Sequence, residues 1–408
     1  MQVLVQKYGG SSVADTQKIK AVARRIISAK NSGYHVVAVV SAQGDTTDEL
    51  VAKAREISSS PSKREMDMLL STGEQISIAL LAMAIAEEGY PVISLTGSQG
   101  GICTDALHTR AKILRVDPVR VRKELSDGRI VIVAGFQGIN DMGDITTLGR
   151  GGSDTTAVAL AAALDARACE IYTDVDGVYT ADPRLVSSAR KLGEISHGEM
   201  LELASLGAAI LQPRAVELAA AWGVTIHVRS SFSDALGTMV IGGDLMEKQR
   251  VVSGVTRDLN VVKVMLVDVP DRPGVAHSIF STLAQRGINV DMIVQTTKQG
   301  PVTDLLFSIG QDDYPATKRL IEELAKDLGI TQVLFSERLA KVSIVGAGMM
   351  SNPGVAATMF GILAEHGINI EVISTSEIKV SCLIEASKVD EAVKAIHDGF
   401  KLGEEVTA

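Results

Sequence analysis

The sequence predicts an α/β protein, a largely parallel central sheet with helices on both faces, followed by two smaller α+β modules. Two observations carry this. Through about residue 245, short apolar segments ending in glycine or a polar loop alternate with helical patterns: "VLVQKYGG", "HVVAVVSAQG", "RIVIVAGFQG", "CEIYTDVDG" and "VTIHVRSS". Strands that are apolar on both faces and alternate with helices belong to a parallel sheet covered on both sides. Beyond that point, residues 271–295, "DRPGVAHSIFSTLAQRGINVDMIVQ", repeat as residues 351–375, "SNPGVAATMFGILAEHGINIEVIST". Eleven of these twenty-five positions are identical without a gap, at an offset of 351 − 271 = 80. Each copy follows an apolar strand, "VVKVMLVDV" or "AKVSIVGAG", turns at Pro-Gly, runs through an amphipathic helix and enters a second strand after Gly-Ile-Asn. Two modules of one kind are therefore expected. The expected boundaries are 1–245 for the first domain, 246–260 for a linker and the first strand after it, and 261–340 and 341–408 for the two modules.

Length and composition agree with several domains. A chain of 408 residues exceeds the size at which single cores stop growing. Hydrophobic residues make up 46% and charged residues 22%, which excludes a disordered chain, and only 3% is aromatic, so the core is aliphatic. The net charge of -9, without a local lysine or arginine cluster, excludes nucleic acid as a partner class. Cys103, Cys169 and Cys382 are far apart and lack C-x-x-C spacing, so neither a zinc site nor a disulfide framework is expected, and buried, reduced thiols are. No run of about 18 apolar residues appears, and "MQVLVQKYGG" reads as a strand rather than a signal peptide. The expectation is a cytoplasmic protein with no membrane contact.

In such sheets ligands gather at the carboxyl ends of the strands, where Lys7, Ser41, Gln137, Thr173 and Asp174 fall. The most informative junction is "TLGRGGSDTTAVALAAAL", residues 147–164. Its tail from Thr155 to Leu164 predicts a buried helix with Ser153 or Asp154 as N-cap. Gly151 and Gly152 precede it, so free N–H groups and the positive end of the helix dipole meet where glycine admits a ligand to the backbone. Arg150 adds a bidentate cation. A carboxylate or a phosphate would fit; an ordinary capped loop explains the capping and leaves the arginine unexplained.

Three further stretches keep this junction company. "VQKYGGSSV" sets Lys7 before Gly9, Gly10, Ser11 and Ser12 and a helix beginning near Asp15, a phosphate cradle without Walker spacing. "SAQGDTTDEL" opens from a strand into a helix and offers the Thr47 hydroxyl. "STGEQIS" places Glu74 near a helix start after Gly73, as a substrate ligand or a surface capping glutamate. In "IYTDVDGVYTADPR", residues 171–184, Asp174, Asp176 and Gly177 hint at a calcium loop, but the EF-hand spacing and closing glutamate are missing. A strand ending in Thr-Asp, a glycine turn, then Tyr179 and Arg184, suits a nucleotide better.

Together "KYGGSSV", "SAQGDTTDEL", "STGEQIS", "GFQG", "TTLGRGGSDTTA" and "YTDVDGVYTADPR" resemble, in order and spacing, the aspartate kinases of the amino-acid kinase fold. The C-terminal repeat resembles their ferredoxin-like ACT regulatory domains. The resemblance covers essentially the whole chain. It implies transfer of the ATP γ-phosphoryl group, with Mg2+, to the β-carboxylate of L-aspartate, the first step of lysine, threonine and methionine biosynthesis. It implies that Lys7 binds the transferring phosphate, with donors from Gly9, Gly10 and Ser11, and that Ser41 belongs to the nucleotide site. Thr47 and Glu74 would hold the substrate, Glu74 on its ammonium. Arg150, with Gly151, Gly152 and Ser153, would take the α-carboxylate. Asp154 would orient Lys7 and the metal shell, and Thr173, Asp174, Tyr179 and Arg184 would line ATP. One departure stands out: "GAAILQP" has Ala209 where many relatives carry lysine in "GAKVLHP", which removes an expected nucleotide contact.

The chemistry suits these residue types. A β-carboxylate is already ionised at pH 7, so the nucleophile needs no general base, and the want of a convincing catalytic histidine fits. The task reduces to positioning and to neutralising charge between two anions.

For the C-terminal half the resemblance implies feedback control by threonine and/or lysine, bound where two modules pack side by side. The first module's candidates are Asp271, Gly274, Val275, Ala276, Asn289, Val290, Asp291 and Gln295; the second's are Val355, Ala356, Asn369, Ile370 and Ser376. It also implies a homo-oligomer through these modules, and Met246 resembles the internal start from which relatives make a separate regulatory chain. "IVGAGMMSNPG" has Ser351 in place of the third glycine of a dinucleotide fingerprint and belongs to the repeat, so that role is discarded. Two other readings remain. One is an amino-acid kinase for glutamate, N-acetylglutamate or uridylate; the other is an inactive amino-acid sensor, against which the intact Lys7, Glu74, Arg150 and Asp154 stand.

Overall fold

The computed structural model describes residues 2–208, 210–242, 251–298 and 300–404. The chain divides into two compact units, residues 1–179 with 191–247 and residues 180–190 with 248–408. In the first unit the elements run β1 (Val3–Tyr8), α1 (Thr16–Asn31), β2 (His35–Val40), α2 (Thr46–Ile57), α3 (Lys63–Glu87) and β3 (Val92–Leu95). There follow β4 (Ile102–Thr104), β5 (Ile113–Val116), α4 (Val119–Ser126), β6 (Ile130–Ala134), β7 (Gln137–Ile139), β8 (Ile145–Thr147) and α5 (Gly152–Leu164). The unit closes with β9 (Cys169–Thr173), β10 (Glu194–Ser196), α6 (His197–Ser205), α7 (Pro213–Trp222), β11 (Ile226–Ser230) and β12 (Thr238–Ile241).

Eight of these strands form one sheet in the order β10-β12-β11-β9-β1-β2-β6-β3. All neighbours are parallel except β11 and β12, so only the β12–β10 edge is reversed. One face buries Val36, Ala38, Val40, Ile130 and Ile132 against Ile19, Val22 and Ile26 of α1 and Ile78, Leu81 and Ile85 of α3. The other carries α5, buried almost all round, as its alanine-rich sequence predicts. Helix α3 is, by length and composition, long and apolar enough to cross a membrane. Its buried face, which includes Asp67 and Glu74, makes it a core helix. A second sheet, β5-β4-β7-β8, was not expected; its strands of three or four residues are too short to leave a periodic signal.

The second unit contains β13 (Gly254–Asp258), β14 (Val262–Pro270), α8 (Val275–Gln285), β15 (Ile293–Gln295), β16 (Val302–Ile309), α9 (Tyr314–Leu328) and β17 (Gln332–Ser336). It ends with β18 (Leu339–Val345), α10 (Val355–Glu365), β19 (Val372–Thr375), β20 (Lys379–Glu385) and α11 (Val389–Gly399). Two antiparallel sheets result, β15-β16-β14-β17 and β13-β18-β20-β19. The expected boundaries differ from this at two places. Strand β13 pairs with β18, so the first module is inserted within the second. Residues 180–190, expected in the first domain, supply Ala181 and Val186 to a core with Val342, Ile344, Leu363 and Ile396. A strand's sequence does not say which neighbour it pairs with, and two apolar residues in a loop carry no period. Met246 and the start of the expected linker, residues 246–250, lie outside the described residues.

Candidate active site

Parallel strands β1, β2 and β9 end together, and α5 begins beside them. Lys7 Nζ lies 2.7 Å from Asp154 Oδ1, both largely buried. Ser41 Oγ donates to Ser153 Oγ at 2.9 Å. The expected N-cap is corrected: α5 starts at Gly152, and its cap is Gly151 in the left-handed region, φ +69°, with no side-chain cap bond. Ser153 and Asp154 therefore stand in the first turn, where N–H groups have no intrahelical acceptor, and their side chains are released for Ser41 and Lys7. A side chain at Gly151 would collide with Gln212, whose Cγ would lie 1.8 Å from a Cβ there.

Glu74 is neither near a helix start nor on the surface. It lies midway along α3 with only 3% of its surface exposed. Gly73 permits this, since a Cβ there would come within 2.8 Å of Ala42 Cβ. Ala42 N–H donates to Glu74 Oε1 at 3.1 Å, while Oε2 is buried with no hydrogen-bond partner among the described residues. Burial pushes the carboxyl up from 4.5 to about 7, against the lowering effect of backbone hydrogen bonds. Thr47, half-buried in the first turn of α2, belongs to the helix that packs on α3.

Arg150 is exposed and forms no ion pair among the described residues. Its turn is nonetheless firmly built. Leu148 N–H donates to Phe136 O at 2.9 Å and Gly152 N–H to Gly149 O at 3.0 Å. Arg214 donates to Leu148 O at 3.1 Å and to Ala111 O at 3.0 Å. Asp67, fully buried on α3, accepts from Thr147 Oγ1 at 2.5 Å and from Thr109 N–H at 3.1 Å, and His108 Nδ1 lies 2.7 Å away. Sequence reading missed Asp67, His108, Thr147 and Arg214. An acid set among the leucines and methionines of "EMDMLLSTG" was the available signal.

At the end of β1, Gly10 must lack a side chain, because a Cβ would lie 2.7 Å from Ala42 O. Its carbonyl accepts from Gly44 N–H at 3.1 Å, which brings the first two strand-end loops together. Ser11, exposed, follows Gly10 in a short 3-10 turn, and Ser12 and Ser231 share a 2.6 Å hydrogen bond. Thr173 Oγ1 donates to Asp174, and Tyr179 OH donates to Asp176, which Lys191 also reaches at 3.2 Å. Burial and that bond to Asp176 push the Tyr179 phenol up to about 12. Arg184 belongs to the second unit, where its guanidinium forks onto Asp182 at 2.8–3.3 Å, while Thr173, Asp174 and Tyr179 belong to the first. Ala209 lies outside the described residues.

No group of three or more His, Cys, Asp or Glu side chains among the described residues is placed to hold a metal ion. Mg2+ needs no such cage when it arrives on nucleotide phosphates, since one or two carboxylates then suffice. Asp154 beside Lys7 is a donor of that kind.

In the second unit, a cavity of about 310 Å3 in the first module is lined by Asp271, Gly274, Val275, Ala276 and Gln295. Asn289, Val290 and Asp291 do not line it; Asp291 pairs instead with Lys341 at 2.5 Å. Of the second module's candidates, Asn369 lines a separate cavity of about 570 Å3 with Arg338, Glu371 and Lys388. Val355 and Ala356 sit in the first turn of α10 and, with Ile370, pack on that module's core; Ser376 N–H donates to Lys379 O. The cysteines are free; Cys169 and Cys382 are buried, whereas Cys103 is half-exposed.

Residues 2–230 match the amino acid kinase family, and residues 263–326 and 342–400 each match an ACT domain. The chain is thus an amino-acid kinase joined to a pair of ACT domains. It is 52% identical over 402 residues to the aspartokinase of Bacillus sp. (strain MGA3), covering 98% of both chains. Its structure is similar to E. coli aspartokinase III in complex with aspartate and ADP (R-state), with TM-score 0.83 and 27% identity over 98% of this chain and 99% of that one. The same enzyme with lysine and aspartate (T-state) matches with TM-score 0.77, 27% identity and the same coverage. The chain belongs to the aspartokinases.

Proposed function

We propose that Lys7, Glu74, Arg150 and Asp154 are the working residues with which this aspartokinase transfers the ATP γ-phosphoryl group to the β-carboxylate of L-aspartate, giving 4-phospho-L-aspartate and ADP. The observation that carries the assignment is the 2.7 Å Lys7–Asp154 pair at the strand ends, beside the first turn of α5. Asp154 fixes the ammonium of Lys7 toward the transferring phosphoryl oxygens, where charge develops. Backbone and hydroxyl donors of Gly9, Gly10, Ser11 and Ser41 cradle the phosphates, and Thr173, Asp174 and Tyr179 line the nucleoside. Mg2+ arriving on ATP would be held by Asp154 and would neutralise phosphate charge. Arg150, with the N–H groups at Gly151 and Ser153, takes the α-carboxylate beside Gly152, whose own N–H closes the turn onto Gly149 O. Glu74 Oε2, buried and without a partner among the described residues, takes the ammonium, with Thr47 beside it.

Threonine and/or lysine act at the ACT domains, with the cavity of Asp271, Gly274 and Gln295 as the threonine-type site; E. coli aspartokinase III, a similar enzyme, forms a complex with lysine. The chain works in the cytoplasm as a homo-oligomer joined through these domains, together with a shorter regulatory chain starting near Met246. The test is hydroxamate trapping of the acyl phosphate formed from MgATP with and without L-aspartate, then with threonine and lysine added. Aspartate-dependent product that the effectors suppress is expected. Arg150→Ala should raise the aspartate KM tenfold or more, and Lys7→Ala should mainly lower kcat. Wild-type kinetics in both variants would refute the residue assignment; amino-acid binding without turnover would indicate a sensor.

A further inference from the structure

We propose that Asp67 is a positioning residue: its buried carboxylate fixes the 108–111 loop and Thr147, and through them aims the Arg150 turn at the substrate carboxylate. The inference rests on the reading of Arg150 given above. Every donor to Asp67 comes from outside its own helix, and all of them flank that turn. Thr147 Oγ1 reaches Oδ1 at 2.5 Å, Thr109 N–H reaches both oxygens at 3.1 Å, and His108 Nδ1 lies 2.7 Å from Oδ2. In the Nδ1–H tautomer of His108 that contact is a hydrogen bond donated to Oδ2.

The loop so gathered is strained. Thr109 has φ +69°, unfavourable for a β-branched residue, and Phe136, on the opposite side of the turn, has φ +67°. Such backbone persists where its surroundings over-determine it, and here they do. Ala111 N–H donates to Thr147 O at 2.9 Å, Leu148 N–H to Phe136 O at 2.9 Å, and Arg214 bridges Leu148 O and Ala111 O. A Cβ at Gly149 would approach Thr109 O to 3.2 Å, so the loop and the turn are in direct contact. Among the described residues Asp67 shares no hydrogen bond with a residue assigned to ATP, so loosening it should be felt at aspartate alone.

Steady-state kinetics of the full-length enzyme with aspartate and MgATP varied separately tests this. Asp67→Asn turns one acceptor into a donor facing donors; the aspartate KM should rise tenfold or more while the MgATP KM stays within about twofold. Thr147→Val, which removes a single hydroxyl, should raise the aspartate KM at least threefold, and Thr147→Ser should recover most of that loss. If Asp67→Asn fails to fold, the Thr147 pair decides. An unchanged aspartate KM in Thr147→Val, or equal losses for both substrates, would overturn the positioning role. Arg150→Ala, run alongside, separates the two ideas. If it raises the aspartate KM while the Asp67 and Thr147 variants do not, only the positioning role fails; if it does not, the carboxylate seat itself is wrong.

Discussion

Glu74, the proposed ammonium ligand, has one oxygen committed to Ala42 N–H and the other buried without a partner among the described residues. An arriving ammonium supplies the missing donor and favours the ionised form, so aspartate should bind the deprotonated carboxylate. With the carboxyl pushed up to about 7, kcat/KM for aspartate should fall as pH drops below about 7, and Glu74→Gln should abolish that limb while raising the aspartate KM. A flat wild-type profile between about pH 6 and 8 would refute this. Stability should show the same group with the opposite preference. A folded-state value above the ordinary 4.5 makes Glu74 costly once pH rises through about 7 and harmless below about 4.5. The full rise corresponds to about 3 kcal/mol, so Glu74→Gln should be the more stable free enzyme at pH 8, by thermal melting, with the gain gone by pH 4.5. The motif around Glu74 is plain in the sequence, but its place midway along α3 is not. "STG" looks like a helix-breaking start, and only the approach of Ala42 explains a glycine within the helix.

Strand register explains a second group of polar residues. Between β1 and β9, Gln6 pairs with Glu170 and Tyr8 with Tyr172; between β9 and β11, Glu170 pairs with His227 and Tyr172 with Arg229. Two rows of side chains thus meet on one face. Glu170 accepts from Gln6 at 2.8 Å, Tyr172 at 3.0 Å and Arg229 at 3.1 Å, while Tyr8 and Tyr172 stack at 4.8 Å. Burial alone would raise the Glu170 carboxyl, but His227, Gln6 and Arg229 hold it down at about 2. A lowered value contributes stability that is complete above the ordinary 4.5 and is lost as pH falls through about 2. Arg229→Met strands a buried carboxylate and should cost on the order of 3 kcal/mol at neutral pH, measured by urea unfolding. It should also flatten the loss of stability between about pH 4.5 and 2; an unchanged acid limb would refute the pairing. The β1, β9 and β11 segments were legible as strands from their apolar runs. Their polar partnership was not, because register sets it and a single strand does not encode its register.

At the scale of the molecule, the two regulatory modules were legible because a gapless repeat survives in the sequence, whereas their connections were not. The chain leaves the first unit after Tyr179, gives residues 180–190 to the second, and returns at Lys191. Thr180 O accepts from Val255 N–H at 2.8 Å, Thr180 Oγ1 lies 3.0 Å from the buried His397 Nε2, and Ala181 and Val186 join the apolar core. Nothing in "TADPRLVSSAR" distinguishes these residues from an ordinary polar loop; only tertiary packing selects them. A regulatory chain beginning at Met246 would lack all of them, leaving Val255 N–H without its acceptor and a gap beside Val342 and Ile396. A fragment of residues 246–408 should therefore melt below the regulatory transition of the full chain in calorimetry, and a peptide spanning residues 178–192 should raise its melting temperature. Within the full chain, Val186→Ala should lower that transition through the lost burial and the cavity it leaves, a cost of about 1–3 kcal/mol. Were the fragment to melt at the full-chain temperature and ignore the peptide, residues 180–190 would be a passing loop rather than part of the regulatory fold.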